Sequence, residues 1–204
     1  MTDSKTRIAA EAKSLAELAE GIRNCRGCPL WQRATQAVCG EGHPHARVML
    51  VGEQPGDKED LAGKPFVGPA GRLLDRALKK ARIDRATVYI TNAVKHFSWE
   101  ARGKRRMHKT PAQLEVAACM DWLLGEIRLV MPDIIVCLGA TAVRALLGPK
   151  IRVLENRGKI FESALGPPVL ITVHPSSILR MQPEDRSEAF ERLVKDLAKA
   201  RAAR

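Results

Sequence analysis

The octapeptide KRRMHKTP, residues 104–111, carries four cations, one imidazole and no acid. Cations beside His108 favour its neutral ring, and the neutral ring is the nucleophilic form. A solvated basic loop that happens to contain a histidine would read the same way. Other residues with chemical potential lie far apart: Glu53 in GEQPG, Asn92 in TNAVKH and His174 in HPSS. Cys25 and Cys28 form a C-x-x-C knuckle, with Cys119 and Cys137 well downstream. Two thiols from a knuckle and two from separate elements can make a four-cysteine site, for zinc or an iron–sulfur cluster by softness alone. Four unrelated buried thiols would fit too, since free cysteine is commonly buried. Cys39 has no obvious partner. A reducing compartment makes disulfides an unsuitable explanation.

Several elements must gather these residues. Residues 13–24 read as an amphipathic helix ending at NCRGCPL. ARVMLVGE (46–53) reads as a buried strand that enters a loop rich in Gly and Pro. Apolar residues at 73, 74, 77, 78 and 81 mark a helix over 71–83. A second strand spans 87–94, and the basic loop follows. Thr110 as N-cap and Pro111 at N1 open a helix to about residue 130. A third strand over 132–139, a short helix over 140–148, a fourth strand over 167–175 and a helix over 184–203 complete the pattern. This alternation predicts an α/β fold: a doubly wound, mainly parallel four-stranded central sheet flanked by helices, in one domain over 1–204. In such sheets ligands bind beyond the carboxyl ends of the strands. GEQPG, NAVKH, GAT and HPSS stand there; the first, second and fourth are expected to share one crevice.

The 204 residues suit one such domain, and 45% hydrophobic content supplies its core. A formal net charge of +11 favours a polyanionic partner, nucleic acid first. No apolar run is long enough to span a bilayer, and the N-terminus lacks the apolar centre of a secretion signal. A cytoplasmic monomer without membrane contact is expected.

GEQPGDKEDLAGKPFVGPAG (52–71), TNA (91–93), HPSS (174–177) and the C-x2-C…C-x17-C pattern together resemble the family 4 uracil-DNA glycosylases, iron–sulfur members of the uracil-DNA glycosylase superfamily. The likeness extends over nearly the whole chain. Hydrolytic members usually read GEAPG; Gln54 and the His108 loop instead resemble UdgX, a branch that binds uracil in DNA and becomes covalently attached to it.

The resemblance implies a structural 4Fe–4S cluster on Cys25, Cys28, Cys119 and Cys137. It implies uracil-containing DNA, single- or double-stranded, as partner, with the base extruded from its stack. Phe66 would stack on the flipped ring. Asn92 would accept from N3–H and donate to O4. His174 would donate to O2 and stabilise the leaving anion. Gln54, Gly56 and Asp57 would shape the turn that holds the base. Lys104, Arg105, Arg106, Lys109 and Ser176 would hold phosphates; about five neutralised phosphates would give a log–log salt slope near −4.5 on duplex DNA. His108 would attack C1′ while Glu53 accepts the ring's other proton, leaving a histidine–C1′ bond in a single-turnover trap. The alternatives are a hydrolytic, multiple-turnover family 4 enzyme and a non-catalytic iron–sulfur DNA-binding module.

Overall fold

In the computed structural model, which describes residues 4–202, the chain begins with α1 (Ser4–Glu11), α2 (Leu15–Arg23), β1 (Glu41–Gly42), β2 (Val48–Gly52), α3 (Asp57–Ala62), α4 (Pro69–Lys80) and β3 (Val88–Asn92). It continues through β4 (Trp99–Arg102), β5 (Arg105–His108), α5 (Gln113–Val130), β6 (Ile134–Leu138), α6 (Ala140–Leu147) and α7 (Val153–Asn156). Last come β7 (Ile160–Phe161), β8 (Val169–Thr172), α8 (Pro175–Leu179) and α9 (Pro183–Ala202). The sequence expectation for the last helix runs to residue 203, which lies outside the described residues.

β6 and β8 are buried along their whole length and aliphatic but for Cys137 and Thr172, as strands covered by helices on both faces must be. The sheet order is β1-β3-β2-β6-β8-β7. β3, β2, β6 and β8 run parallel, whereas β1 and β7 pair antiparallel at the two edges. The expectation of a four-stranded, mainly parallel sheet is therefore corrected: the sheet is six-stranded and mixed. Each edge strand has only two residues, too few to show a period in the sequence.

Alternation along β6 divides the core. Ile134, Val136 and Leu138 face Leu74 and Leu78 of α4 and Leu193 and Leu197 of α9. Ile135 and Cys137 face Leu123 and Ile127 of α5 and Val143 of α6. Leu74, Leu78 and Leu193 are fully buried, each stabilising the fold by about 2 kcal/mol. A third cluster packs Leu18 and Ile22 of α2 on Val116, Cys119 and Trp122 of α5.

Two local expectations also change. The basic loop is a hairpin: β4 and β5 pair antiparallel, Trp99 opposite His108, with Gly103 turning the chain at φ +59°. The long helix starts at Gln113 rather than Pro111, and the Glu115 carboxylate accepts the Ala112 N–H at 2.7 Å in place of a Thr110 cap. No helix among the described residues is long and apolar enough to cross a membrane.

Candidate active site

The parallel strands end on one side of the sheet, and the polar residues there converge. Gly52 and Asn92 are register partners at the ends of β2 and β3. Glu53 follows β2, His174 caps α8 after β8, and Thr141 stands at the start of α6. Gly52 is needed at this point: a Cβ there would collide with both Asn92 Oδ1 and the Phe66 ring. Phe66 holds a left-handed backbone, φ +57°, ahead of the two glycines of KPFVGPAG, Gly68 and Gly71. Its ring lies 5.8 Å from that of His174, tilted by 34°. Glu59 fixes this loop by accepting the Gly68 N–H at 2.7 Å.

Glu53 Oε2 accepts from the Thr141 hydroxyl at 2.6 Å. His108 Nε2 comes within 3.1 Å of Oε1, but out of line for a hydrogen bond, so Oε1 keeps acceptor capacity. Burial pushes the Glu53 carboxyl up; the contacts from His108 and Thr141 and the fields of His108 and His174 outweigh it and hold the group below its ordinary value. Glu53 is thus a carboxylate with one oxygen free to hold a proton donor.

His174 Nδ1 accepts the Ser176 N–H at 3.2 Å and lies 2.8 Å from the Ser176 hydroxyl. A neutral ring therefore carries its proton on Nε2. Burial, helped by Arg180 and His108 and opposed by Glu53, pushes this histidine down to about 4. At neutral pH it is an uncharged donor.

Asn92 is 2% exposed, and its Oδ1 has no hydrogen-bond partner. Among the described residues, Glu53 Oε1 and Asn92 Oδ1 are the two buried side-chain polar atoms left unpaired. Leaving Asn92 Oδ1 unpaired costs about 1–3 kcal/mol. That both fall in one crevice, beside a neutral donor and an aromatic ring, marks it as a site for a flat ligand with an N–H to give.

The hairpin closes one side of this crevice. Asp57 and Asp60 grip Arg106 at 2.7 and 2.6 Å, and Arg106 also lies over the rings of Phe97 and Trp99. Its charge is spent inside the protein, while Lys104, Arg105 and Lys109 are exposed. Ser176 serves His174 and receives Arg180 at 3.2 Å. Gly56 caps α3, with Asp57 beginning that helix. Gln54 is buried and turns its carboxamide to the main chain of Ser98 and Lys109 rather than into the crevice.

Two important residues carried no individual signal in the sequence. Lys95 is fully buried; it donates to Glu126 at 2.7 Å, to the Thr91 hydroxyl at 2.7 Å and to the Asn92 carbonyl at 2.8 Å. It steadies the strand end that presents Asn92. His96 is buried as well; burial first and then Arg26 push it down to about 4, against Asp60. Both His96 and His174 have folded values below the ordinary 6.5. The unfolded chain then takes up protons first, so the stability they contribute is complete above about pH 6.5 and is lost as pH falls toward 4. Each should cost the protein up to about 3 kcal/mol across that window. Urea unfolding at pH 7 and pH 4.5 should show this slope, and His174→Gln should reduce it.

The cysteine expectation is corrected. Cys25, Cys28 and Cys119 belong to the cluster beneath α1 and α2, where Cys25 Sγ accepts from the Trp122 indole at 3.2 Å. Cys137 faces the other core cluster, among Met49, Leu123 and Val143, and burial alone raises its thiol. Among the described residues no group of three or more His, Cys, Asp and Glu could hold a metal ion. The four thiols, split between two core clusters, do not fit an iron–sulfur cluster.

Residues 39–198 match the family model described as the uracil DNA glycosylase superfamily. A type-4 uracil-DNA glycosylase of Thermotoga maritima is 39% identical, over 91% of this chain and 92% of its own. One of Pyrobaculum aerophilum is also 39% identical, over 90% and 91%. A third, of Archaeoglobus fulgidus, is 34% identical over 86% and 88%. These relatives overturn the expected covalent, single-turnover trap at His108 and favour its hydrolytic alternative.

Proposed function

We propose that this chain, which belongs to the type-4 uracil-DNA glycosylase family of the uracil DNA glycosylase superfamily, removes uracil from DNA by hydrolysis over many turnovers. The observation that carries this reading is that Asn92 Oδ1 and Glu53 Oε1, two buried oxygens without a hydrogen-bond partner, both stand at the carboxyl ends of adjacent parallel strands. Uracil, flipped from the stack at a cost of a few kcal/mol, slides against Phe66. Asn92 Oδ1 accepts N3–H, and its amide nitrogen donates to O4. Cytosine has the opposite polarity at both positions and is refused. His174 Nε2–H donates to O2.

The C1′–N1 bond then breaks, and its electron pair leaves with the uracil anion. The neutral His174 donor stabilises that anion, an effect worth about 3 kcal/mol in comparable oxyanion sites. A water held by Glu53 Oε1 adds to C1′, and the carboxylate takes its proton. His108 shapes the Glu53 side of the site. The products are an abasic site and free uracil. The likeness of Gln54 and the hairpin to UdgX supports a place near that branch by sequence, without its covalent step.

Incubation with a uracil-containing oligonucleotide in tenfold excess tests the reading. Free uracil should exceed the enzyme several-fold. Release that stops at one equivalent, or none at all, overturns it. DNA affinity should also fall with salt. Because Arg106 is already paired, about four cations of the hairpin, Arg102, Lys104, Arg105 and Lys109, remain for phosphates, and the duplex slope should be about −3.6 rather than −4.5. Binding measured between 50 and about 200 mM salt reads that slope directly.

A further inference from the structure

Gln54 follows Glu53 in the chain, yet the two side chains serve different partners. Gln54 Oε1 accepts the Ser98 N–H at 2.9 Å, and Nε2 donates to the Ser98 and Lys109 carbonyls, both at 3.0 Å. Ser98 and Lys109 flank the hairpin, one residue outside β4 and one outside β5. Lys109 N–H also donates to the Ser98 carbonyl at 3.0 Å, so the carboxamide completes a closed ring of hydrogen bonds at the hairpin's root. The first pair above that root is Trp99 opposite His108. Both amide protons of Gln54 are used, which leaves its nitrogen nothing to give a base.

We propose that Gln54 is a positioning residue that sets His108 against Glu53 by stapling the root of the hairpin to the end of β2. The proposal rests on the reading of Glu53 as the group that holds the attacking water. The backbone that carries Glu53 and the backbone that carries His108 meet at this one carboxamide, and Glu53 sits one residue before it. The Arg106 clamp fixes the hairpin farther out, against α3, and the Trp99 indole donates to the Arg33 carbonyl at 2.9 Å from the β4 side; the Gln54 carboxamide is bonded to both strands of the root. Around Glu53 stand His108 from the hairpin, Thr141 from α6 and His174 from α8. Of these, His108 is the one whose placement depends on the staple. Loosening it should move His108 away, remove part of the field on Glu53 and leave the Asn92, Phe66 and His174 side of the crevice in place.

The test is a cycle of Gln54→Ala, His108→Ala and the double variant, with uracil release measured as kcat and KM across pH. Gln54→Ala should lower kcat about tenfold with KM changed by less than about threefold, since the loss is one of alignment. The acid limb of its kcat profile should move to higher pH, because Glu53 loses its neighbour. On the His108→Ala background the same change should add less than about twofold. Fully additive losses, or an unmoved acid limb, overturn the proposal. Hydrogen exchange at the amides of Ser98 and residues 99–109 judges the staple without activity: exchange should quicken there and not in the central sheet. If the wild-type protein released no uracil, the proposed function would fail, while unchanged hairpin exchange in Gln54→Ala would sink the staple itself. Should Gln54→Ala not fold, Gln54→Glu keeps the acceptor for Ser98 N–H, loses both donations and should show the same shifts.

Discussion

Glu53→Gln should lower the rate of uracil release by about two to three orders of magnitude while DNA binding changes little, the scale expected for a lost general base. The amide can still receive the Thr141 hydroxyl, so the local packing survives. It cannot take a proton from water. The pH profile adds a second check. Glu53 is held below its ordinary value, so the working carboxylate is present at neutral pH and is lost only as pH falls through that lowered value. The wild-type acid limb should therefore lie below the usual carboxylate range, and it should vanish in Glu53→Gln. Single-turnover release of uracil under excess enzyme measures both. An undiminished rate in the variant would move the base to another residue.

Asn92→Asp should cost about a hundredfold in excision of uracil and narrow the preference over cytosine. The amide offers one acceptor and one donor along the base edge, and the acceptor now stands unpaired. A carboxylate keeps the acceptor for N3–H and places negative charge against O4. Toward cytosine it can accept from N4, which the amide nitrogen cannot. Sites that hydrogen-bond a substrate discriminate by leaving buried groups unpaired with the wrong ligand, and that leverage is large. Matched oligonucleotides carrying uracil or cytosine at one position provide the measurement. Equal selectivity in the variant would show that the edge of the base is read elsewhere.

Much of this site was legible because strand ends announce themselves. An aliphatic run that stops at a polar residue, as at Thr91–Asn92 or before His174, places that residue beyond the sheet, where ligands sit. What stayed hidden depended on which face or which partner a residue meets. Cys137 lies one position before Leu138, which packs under α4 and α9, while Cys137 itself faces α5. Spacing from Cys119 carries no information about that. Lys95 follows an apolar pair and reads as a surface cation, because lysine is almost never fully buried unless paired. Its partner, Glu126, is 31 residues away on another element. The hairpin was missed for a related reason. RRMH and WEAR hold too few apolar residues to show alternation, and the carboxylates that clamp Arg106 lie more than 40 residues upstream.

The two short antiparallel edges of the sheet matter for a different property, the protein's behaviour at high concentration. A parallel sheet ending on a long, bare strand offers a row of unpaired amides and carbonyls to any neighbouring chain. Here β3 is covered by β1 and β8 by β7, each only two residues long and set against the direction of the core. A copy approaching either side finds too little regular strand to extend. Ile160 is exposed and Phe161 half-buried, so β7 is the more apolar of the two guards. Pro at position 161 would remove the main-chain donor opposite Val169 from this short pairing and uncover β8. Light scattering of Phe161→Pro should then show clumping on warming well before the core melts.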